Sequence, residues 1–351
     1  MRASGYAYKQ PKAGFQPIEY DIEPGPNDAV VRVAGCGLCH TDVGFYFGDV
    51  APRAELPLVL GHEISGVVEA AGEAYSSLVG SHVIIPSVMP CGGCERCKAG
   101  YPNTCTQQFM PGNDGQGGFS DFIKVPARYL TELPKDLGKY ELADLSVIAD
   151  AVTTPYQSVQ RAGLKAGDVA IVVGVGGVGT YGVQIAKAVG AYVVAIDIDD
   201  TKLERIAKHG ADAVLNVKGT SVKDTRKAVR RMVNEAGKPG FAWKIFEMSG
   251  SAPGQELAYA LLPHSGTLAV VGFTMATLQL RLSNLMAFDA TCFGNWGCAP
   301  ELYPAAVDMV LKGQVDLEPF IKRHPLSEIG SLFEAAHAGQ LAERAILVPA
   351  T

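Results

Sequence analysis

Four of the chain's 8 cysteines fall within one short segment, CGGCERCKAGYPNTC, residues 91–105. Cys91, Cys94, Cys97 and Cys105 follow C-x2-C-x2-C-x7-C spacing, close enough for four thiolates to surround one zinc while the intervening glycines let the backbone wrap. An iron–sulfur cluster is the competing metal reading, and a disulfide pair is the third, disfavoured where thiols are kept reduced. A shell of four thiolates has no vacant position, so it holds a frame and does not react. Metal chemistry needs a second ligand set with a vacancy. Cys39 in GCGLCHTD (35–42) and His62 in GHEISG (61–66) begin one. Each is ordinary alone, since a lone cysteine is usually a small buried hydrophobe.

A second group of residues could hold a nucleotide. The apolar run AIVV leads into GVGGVG, which places Gly174, Gly176 and Gly179 in G-x-G-x-x-G spacing with Gly177 and Val178 between them. Gly174 permits a tight turn, Gly176 lets a pyrophosphate approach the backbone, and Gly179 lets helix and strand pack closely. The following helix N-terminus would offer free N–H groups to the phosphates. The next strand ends at Asp197, 18 residues beyond Gly179. A carboxylate there accepts from both adenosine ribose hydroxyls and repels a 2′-phosphate, which favours NAD over NADP.

Two kinds of element must position these groups. Residues 1–140 read as short strands broken by turns, such as DAVVRVAGCG, ISGVVEAAG and SHVIIPSV. From about residue 165 strand and helix alternate: DVAIVVG, GVGTYGVQIAKAVG, AYVVAID, DTKLERIAKHG, AVLNV, a charged helical stretch near 222–236, WKIFEMS, PGQELAYALL and GTLAVVG. That rhythm implies right-handed βαβ units and a parallel sheet covered on both faces. The tail, with the helical PELYPAAVDMVLKG and the strand-like RAILVP, returns to the first part. The expected domains are 1–150, 151–297 and a returning segment 298–351.

Bulk properties describe a globular protein with a real core. The chain has 351 residues, 48% of them hydrophobic, and a net charge of −6, which argues against nucleic-acid or anionic-membrane partners. No apolar run approaches the roughly 18 residues needed to span a bilayer. The start, MRASGYAYKQPKAG, shows no apolar signal-peptide core, so a cytoplasmic location is expected.

Taken together, GHEISGVVEAAG (61–72), GCGLCHTD, the cysteine quartet and the glycine-rich unit resemble the zinc-dependent medium-chain alcohol dehydrogenases across nearly the whole chain. The resemblance implies an α/β protein, with a GroES-like, mostly β catalytic domain and a Rossmann doubly wound parallel-sheet cofactor domain. It also implies NAD, two zinc ions per chain and a homodimer or homotetramer. In that family the third catalytic ligand is usually a cysteine; here IADAVTTPY places Asp150 at the matching position, as in some members. The alternative is that Asp150 only caps the following helix. By the same resemblance Glu63 is a carboxylate that transiently approaches the metal. Asp42 orients His62, and Thr41 hydrogen-bonds the substrate alcohol and passes its proton on. His40 and Arg344 match contacts of the cofactor pyrophosphate, and Lys202 matches a lysine near the adenine ribose. Many relatives end the proton relay in a histidine where this chain has Gly44.

Longer stretches, including FMPGNDGQGGFSDFIKVPAR (109–128) and VIADAVTTPYQ, resemble the branch of the family that acts on alicyclic hydroxyacyl-CoA thioesters. A coenzyme A ligand calls for basic residues. Arg53 and the run Lys223, Arg226, Lys227, Arg230 and Arg231 are candidates, with a solvated helix face as the plainer account of the run. Phe45, Tyr46, Phe47 and Trp296 are candidate pocket walls, with core packing the competing account. Rival readings are a free-alcohol dehydrogenase, a zincless reductase on the same fold, and a non-catalytic NAD-binding protein.

Overall fold

The strand Asp28–Gly37 is mostly buried and rich in valine, as befits the centre of a sheet. In the computed structural model, which describes residues 1–350, it pairs antiparallel with Glu63–Ala71, Phe122–Pro126 and the returning strand Arg344–Val348. The register with Glu63–Ala71 matches Gly37 to Glu63 and Cys36 to Ile64. Continuing it outward brings the chain at Cys39 abreast of the chain at Gly61 and His62. Sheet register alone therefore places two candidate ligands side by side. His82–Ile85 and Thr131–Glu132 extend the sheet on one side, and Ile321–Pro325 closes the other.

This sheet belongs to the first of two units, Met1–Thr153 with Gly297–Leu311 and the chain from Leu317. Its core includes Val31, Leu60, Ile64, Phe119, Phe333 and Leu347. The helix His40–Phe47 is fastened by aromatic packing. Tyr46 stacks on Phe15 at 4.7 Å between ring centroids and meets Phe333 edge-on, while Phe47 stacks on His337 at 3.8 Å. Phe45 and Tyr46 are buried in this core. These three rings are thus anchors of the helix that bears Thr41 and Asp42, and the pocket-wall expectation for them gives way to packing.

A 3-10 segment, Leu142–Ala149, lies across the same sheet and delivers Asp150 at its end. Ser65 Oγ donates to the Leu142 carbonyl at 2.6 Å. Arg323, from the returning tail, donates through Nε and Nη2 to the two oxygens of buried Asp144 at 2.7 and 2.8 Å. Such a two-point guanidinium–carboxylate contact fixes orientation as well as distance.

The second unit, Thr154–Trp296 with Lys312–Asp316, holds a six-stranded parallel sheet. Its order is Ala213–Asn216, Tyr192–Asp197, Val169–Val173, Lys244–Glu247, Thr267–Val270 and Thr291–Gly294. The first strand in sequence lies third, so the winding reverses beside it, at the position where such sheets bind ligands beyond their strand C-termini. Val169–Val173 is buried throughout, as a strand covered by helices on both faces must be. The short stretch Lys312–Asp316 groups with this unit because the Gln184 side chain bonds both the N–H and the carbonyl of Asp316. No helix among the described residues is long and apolar enough to cross a membrane.

Arg323→Ala removes the partner of a buried carboxylate and is expected to cost about 2 kcal/mol. Thermal unfolding monitored by circular dichroism should show a midpoint lower by about 4–8 °C.

Candidate active site

Cys39, His62, Glu63 and Asp150 each point one ligand atom into a common space, all within 4.8 Å of one another. Cys39 Sγ lies 3.6 Å and His62 Nε2 lies 3.8 Å from Asp150 Oδ2. Two ligands bound tetrahedrally at zinc distances are separated by about 3.3–3.5 Å, so one zinc fits among the three with small adjustments. Asp150 sits at the C-terminal end of the 3-10 segment, and its carboxylate faces Cys39 and His62.

Asp42 supplies the geometry around this cluster. Fully buried, it accepts the Cys39 N–H through Oδ2, and through Oδ1 the Gly61 N–H and the Nδ1 side of His62 at 3.1 Å. With Nδ1–H bonded to a carboxylate, the Nε2 lone pair is left for a metal. Burial opposes a charge on His62. The Asp42 carboxylate and bonds to Asp150, Asp42 and Cys39 outweigh it, holding the imidazole pKa well above its usual range. A field that favours an imidazolium also favours a divalent cation in the same place, which is the electrostatic side of the fit.

Glu63 is buried and paired with Arg344, whose Nη1 lies 2.6 Å from Oε1 and 3.3 Å from the Leu38 carbonyl. Burial pushes the Glu63 carboxyl up against the pull of the Arg344 guanidinium. Its other oxygen, Oε2, is buried with no hydrogen-bond partner among the described residues, as expected of a group that meets a ligand. This pairing was not anticipated from sequence, although an arginine in the apolar run RAILVP signals a buried counter-charge. Arg344 is 6% exposed and faces Glu63, so it is no solvated surface charge.

Thr41 is exposed at the start of its helix, with Oγ1 3.8 Å from Cys39 Sγ. His40 is exposed beside it. A side chain at Gly44 would meet nothing within 4 Å, so the place where many relatives carry a histidine is open space.

The cysteine quartet forms a separate cluster. Sulfur separations of 3.5 Å link Cys94 to Cys97, Cys94 to Cys105 and Cys105 to Cys91. Four thiolates around one zinc stand about 3.8 Å apart. A multi-iron cluster would spread its sulfurs wider, and a disulfide would bring a pair to about 2.05 Å. N–H groups of Gly93 and Cys94 donate to the Cys91 sulfur and lower its pKa. Backbone donors likewise pull Cys94 down to about 5. Cys97 is pushed the other way, up to about 12, by burial and by the neighbouring Cys94 and Cys105 sulfurs, so backbone donors favour thiolates at Cys91 and Cys94 in particular.

In the second unit Gly174 has φ of +88° and packs on Ser249. A Cβ at Gly179 would sit 1.8 Å from the Gly174 carbonyl oxygen, whereas one at Gly176 would meet nothing within 4 Å. Gly179 thus serves the fold, and Gly176 leaves room for a ligand. Asp197 ties the turn to the strand end: Oδ2 accepts the Val175 N–H, and Oδ1 those of Ile198 and Asp199. Lys202 lies in the first turn of the helix Asp200–Ala207, its N–H bonded to Asp199. Gly177 is exposed and Val178 caps the helix that begins at Gly179.

Of the basic candidates, Arg53 is already paired with Asp114 at 3.0 Å. In the run on Val222–Glu235, Lys223, Lys227, Arg230 and Arg231 are exposed, with Lys227 near Asp224 and Arg231 near Glu235, while Arg226 is half-buried. Trp296 is half-exposed, and its carbonyl accepts from Gln157.

Gly176→Ala is expected to keep the melting temperature of the parent chain while weakening NAD binding by tenfold or more, roughly 1.4 kcal/mol. Gly179→Ala should instead lower the melting temperature. Calorimetric titration with NAD and thermal melts check both.

The comparisons with known proteins bear on the whole chain. Residues 25–135 match the family described as "Alcohol dehydrogenase GroES-like domain", and residues 177–312 match "Zinc-binding dehydrogenase". The chain is 32% identical over 322 residues to an alcohol dehydrogenase of Geobacillus stearothermophilus, covering 91% of each. It is 30% identical over 332 residues to a 2-dehydro-3-deoxy-L-galactonate 5-dehydrogenase of Pseudoalteromonas atlantica, again covering 91% of each. The crystal structure of the alcohol dehydrogenase from the archaeon Aeropyrum pernix superposes with a TM-score of 0.87 at 29% identity, covering 99% of this chain and 100% of that one. Likeness of this extent makes the chain a member of the zinc-dependent medium-chain alcohol dehydrogenases, oxidoreductases acting on CH–OH donors.

Proposed function

We propose that this dehydrogenase uses NAD⁺ to oxidise a ring hydroxyl β to a coenzyme A thioester, converting 6-hydroxycyclohex-1-ene-1-carbonyl-CoA to its 6-oxo product. The reaction class rests on one observation: Cys39, His62 and Asp150 converge on a space of zinc size while Thr41 stands beside it. Bound zinc supplies Lewis-acid polarisation of the substrate hydroxyl, and bound NAD⁺ accepts the hydride. Cys39, His62 and Asp150 would hold the metal, and three protein ligands would leave it able to take the substrate hydroxyl. Two anionic ligands and a neutral imidazole balance its charge. A carboxylate donates less electron density than the usual thiolate, so Asp150 leaves the metal a stronger acid. Thr41 takes the hydroxyl's hydrogen bond and passes the proton outward; with Gly44 in the next place, water or the ribose receives it. Asp42 keeps His62 in the tautomer that ligates, and Glu63, restrained by Arg344, is the carboxylate in reserve.

The turn Gly174–Gly179 would take the cofactor pyrophosphate at Gly176, where the backbone is open, and the family likeness adds His40 and Arg344 as contacts. Asp197 and Lys202 take the adenosine ribose. The preference for NAD over NADP rests on Asp197. The CoA substrate is supported by the likeness of residues 109–128 and the other stretches quoted above. A second reading, a free secondary alcohol or polyol, draws support from relatives named as alcohol and sugar-acid dehydrogenases. Arg53, tied to Asp114, is a weaker phosphate contact than its charge suggested.

NADH formation with the thioester, set against cyclohexanol and 2-butanol, separates the two. A thioester kcat/KM higher by about a hundredfold or more is expected, and equal or faster turnover of the free alcohols would discard the CoA reading. Asp150→Ala is expected to retain the four-cysteine zinc and lose the second, with turnover; metal analysis should find one zinc per chain in place of two.

A further inference from the structure

Asp150 takes its direction from the peptide group before it. The 3-10 segment stops at Ala149, and the last carbonyls of such a segment lack partners inside it. Ala149's carbonyl oxygen accepts from two side chains instead: the Tyr303 hydroxyl at 2.5 Å and the Thr153 hydroxyl at 3.2 Å. Because the peptide group is planar and stiff, fixing that oxygen fixes the plane from which the Asp150 Cα departs. Tyr303 lies 154 positions away, in the returning helix Tyr303–Leu311. Its oxygen also accepts the Ser87 N–H at 3.0 Å, and Ser87 Oγ is 3.4 Å away. Ser87 lies just beyond the strand His82–Ile85, close before Cys91. Tyr303, Thr153, Ser87 and Ala149 are all essentially excluded from solvent. A phenol has one proton to give and lone pairs to receive. With the Ala149 carbonyl accepting on one side and the Ser87 N–H donating on the other, the phenol oxygen is held from both sides. Burial pushes the phenol's pKa upward, so the hydroxyl remains a donor across the working pH range.

We propose that Tyr303 is a positioning residue for the open zinc site: its hydroxyl, shared between Ala149 and Ser87, sets the angle at which the Asp150 carboxylate approaches Cys39 and His62. The inference rests on the reading of Cys39, His62 and Asp150 as that site. It gives the tail a role in the chemistry beyond closing the sheet. An aspartate needs such control, since its carboxylate can turn about two side-chain bonds and offer either oxygen. The packing of Tyr303 alone would stabilise the unit without affecting the metal, and this difference makes the inference testable.

The test compares the parent chain with Tyr303→Phe, which keeps the ring and removes the hydroxyl. Tyr140→Phe is the control: its hydroxyl accepts a buried backbone N–H, that of Leu317 at 3.2 Å, without bonding Ala149. Zinc per chain, the rate of zinc loss to a chelator, the visible spectrum of the cobalt-substituted open site and the melting temperature are measured for each. The expected result is that both variants melt earlier, but only Tyr303→Phe releases the second zinc at least about tenfold faster and shifts the cobalt bands. Equal zinc retention and an unchanged cobalt spectrum in Tyr303→Phe would overturn the inference. If Tyr303→Phe gives no folded chain, Thr153→Val decides on the same two readouts, with Thr153→Ser expected to restore both. A parent chain holding only the four-cysteine zinc would instead overturn the site reading, and this inference with it.

Discussion

A single carboxylate, Asp42, holds together two of the three chain segments that present the open site's ligand atoms. It is fully buried, and a buried carboxylate is tolerated only when its lone pairs are occupied. It receives the backbone N–H of Cys39, the backbone N–H of Gly61 and the Nδ1 side of His62. Two of these donors belong to residues that present ligand atoms, and the third immediately precedes one. Satisfying Asp42 and shaping the site are therefore the same event. The antiparallel register of Asp28–Gly37 with Glu63–Ala71 brings the two segments near enough for one short side chain to span them.

Around that tie the charges are arranged in pairs. Glu63, beside His62, is met by Arg344, and Asp144, within the segment that leads to Asp150, is met by Arg323. Both arginines come from the returning tail. The Glu63–Arg344 pair is buried on both sides, and removing one of its members costs more than the pair contributes, because the remaining charge stays out of water. The tail thus neutralises carboxylates whose positions are set elsewhere in the chain. The quartet loop works differently: backbone N–H groups directed at Cys91 and Cys94 favour thiolates with no distant partner.

What could be read from sequence follows this division between local and distant causes. The cysteine quartet and the glycine turn were legible because their residues are close along the chain and their spacing is itself the geometry. The βαβ rhythm was legible for the same reason, since each strand and helix carries its own pattern of apolar residues. Asp150 was reached through likeness to a family and not through spacing, and the structure places it with Cys39 and His62. The pairing of Glu63 with Arg344 spans 281 positions, and that of Asp144 with Arg323 spans 179. No local pattern encodes such contacts; they exist only once the sheet has fixed its strand order. The aromatic run Phe45–Phe47 stays open between two accounts in the sequence for a related reason: an aromatic side chain fills a core or lines a pocket equally well, and the presence of Phe15, Phe333 and His337 decides for Tyr46 and Phe47.

The division of the chain has a consequence for how the protein comes into being on the ribosome. The parallel sheet from Val169–Val173 to Thr291–Gly294 is contiguous in sequence and can form as soon as it emerges. The unit with the metal ligands is synthesised first but lacks Tyr303, Arg323, Arg344 and two strands of its main sheet until the later segments appear. Domains tend to fold as units in the order they are made; here the order is reversed. The nascent chain must carry its reduced cysteines, and the exposed edge of Asp28–Gly37, through the whole time taken to build the other unit. Unpaired strand edges invite pairing with other chains and free thiolates are reactive, so the late arrival of the tail lengthens the period in which both are open.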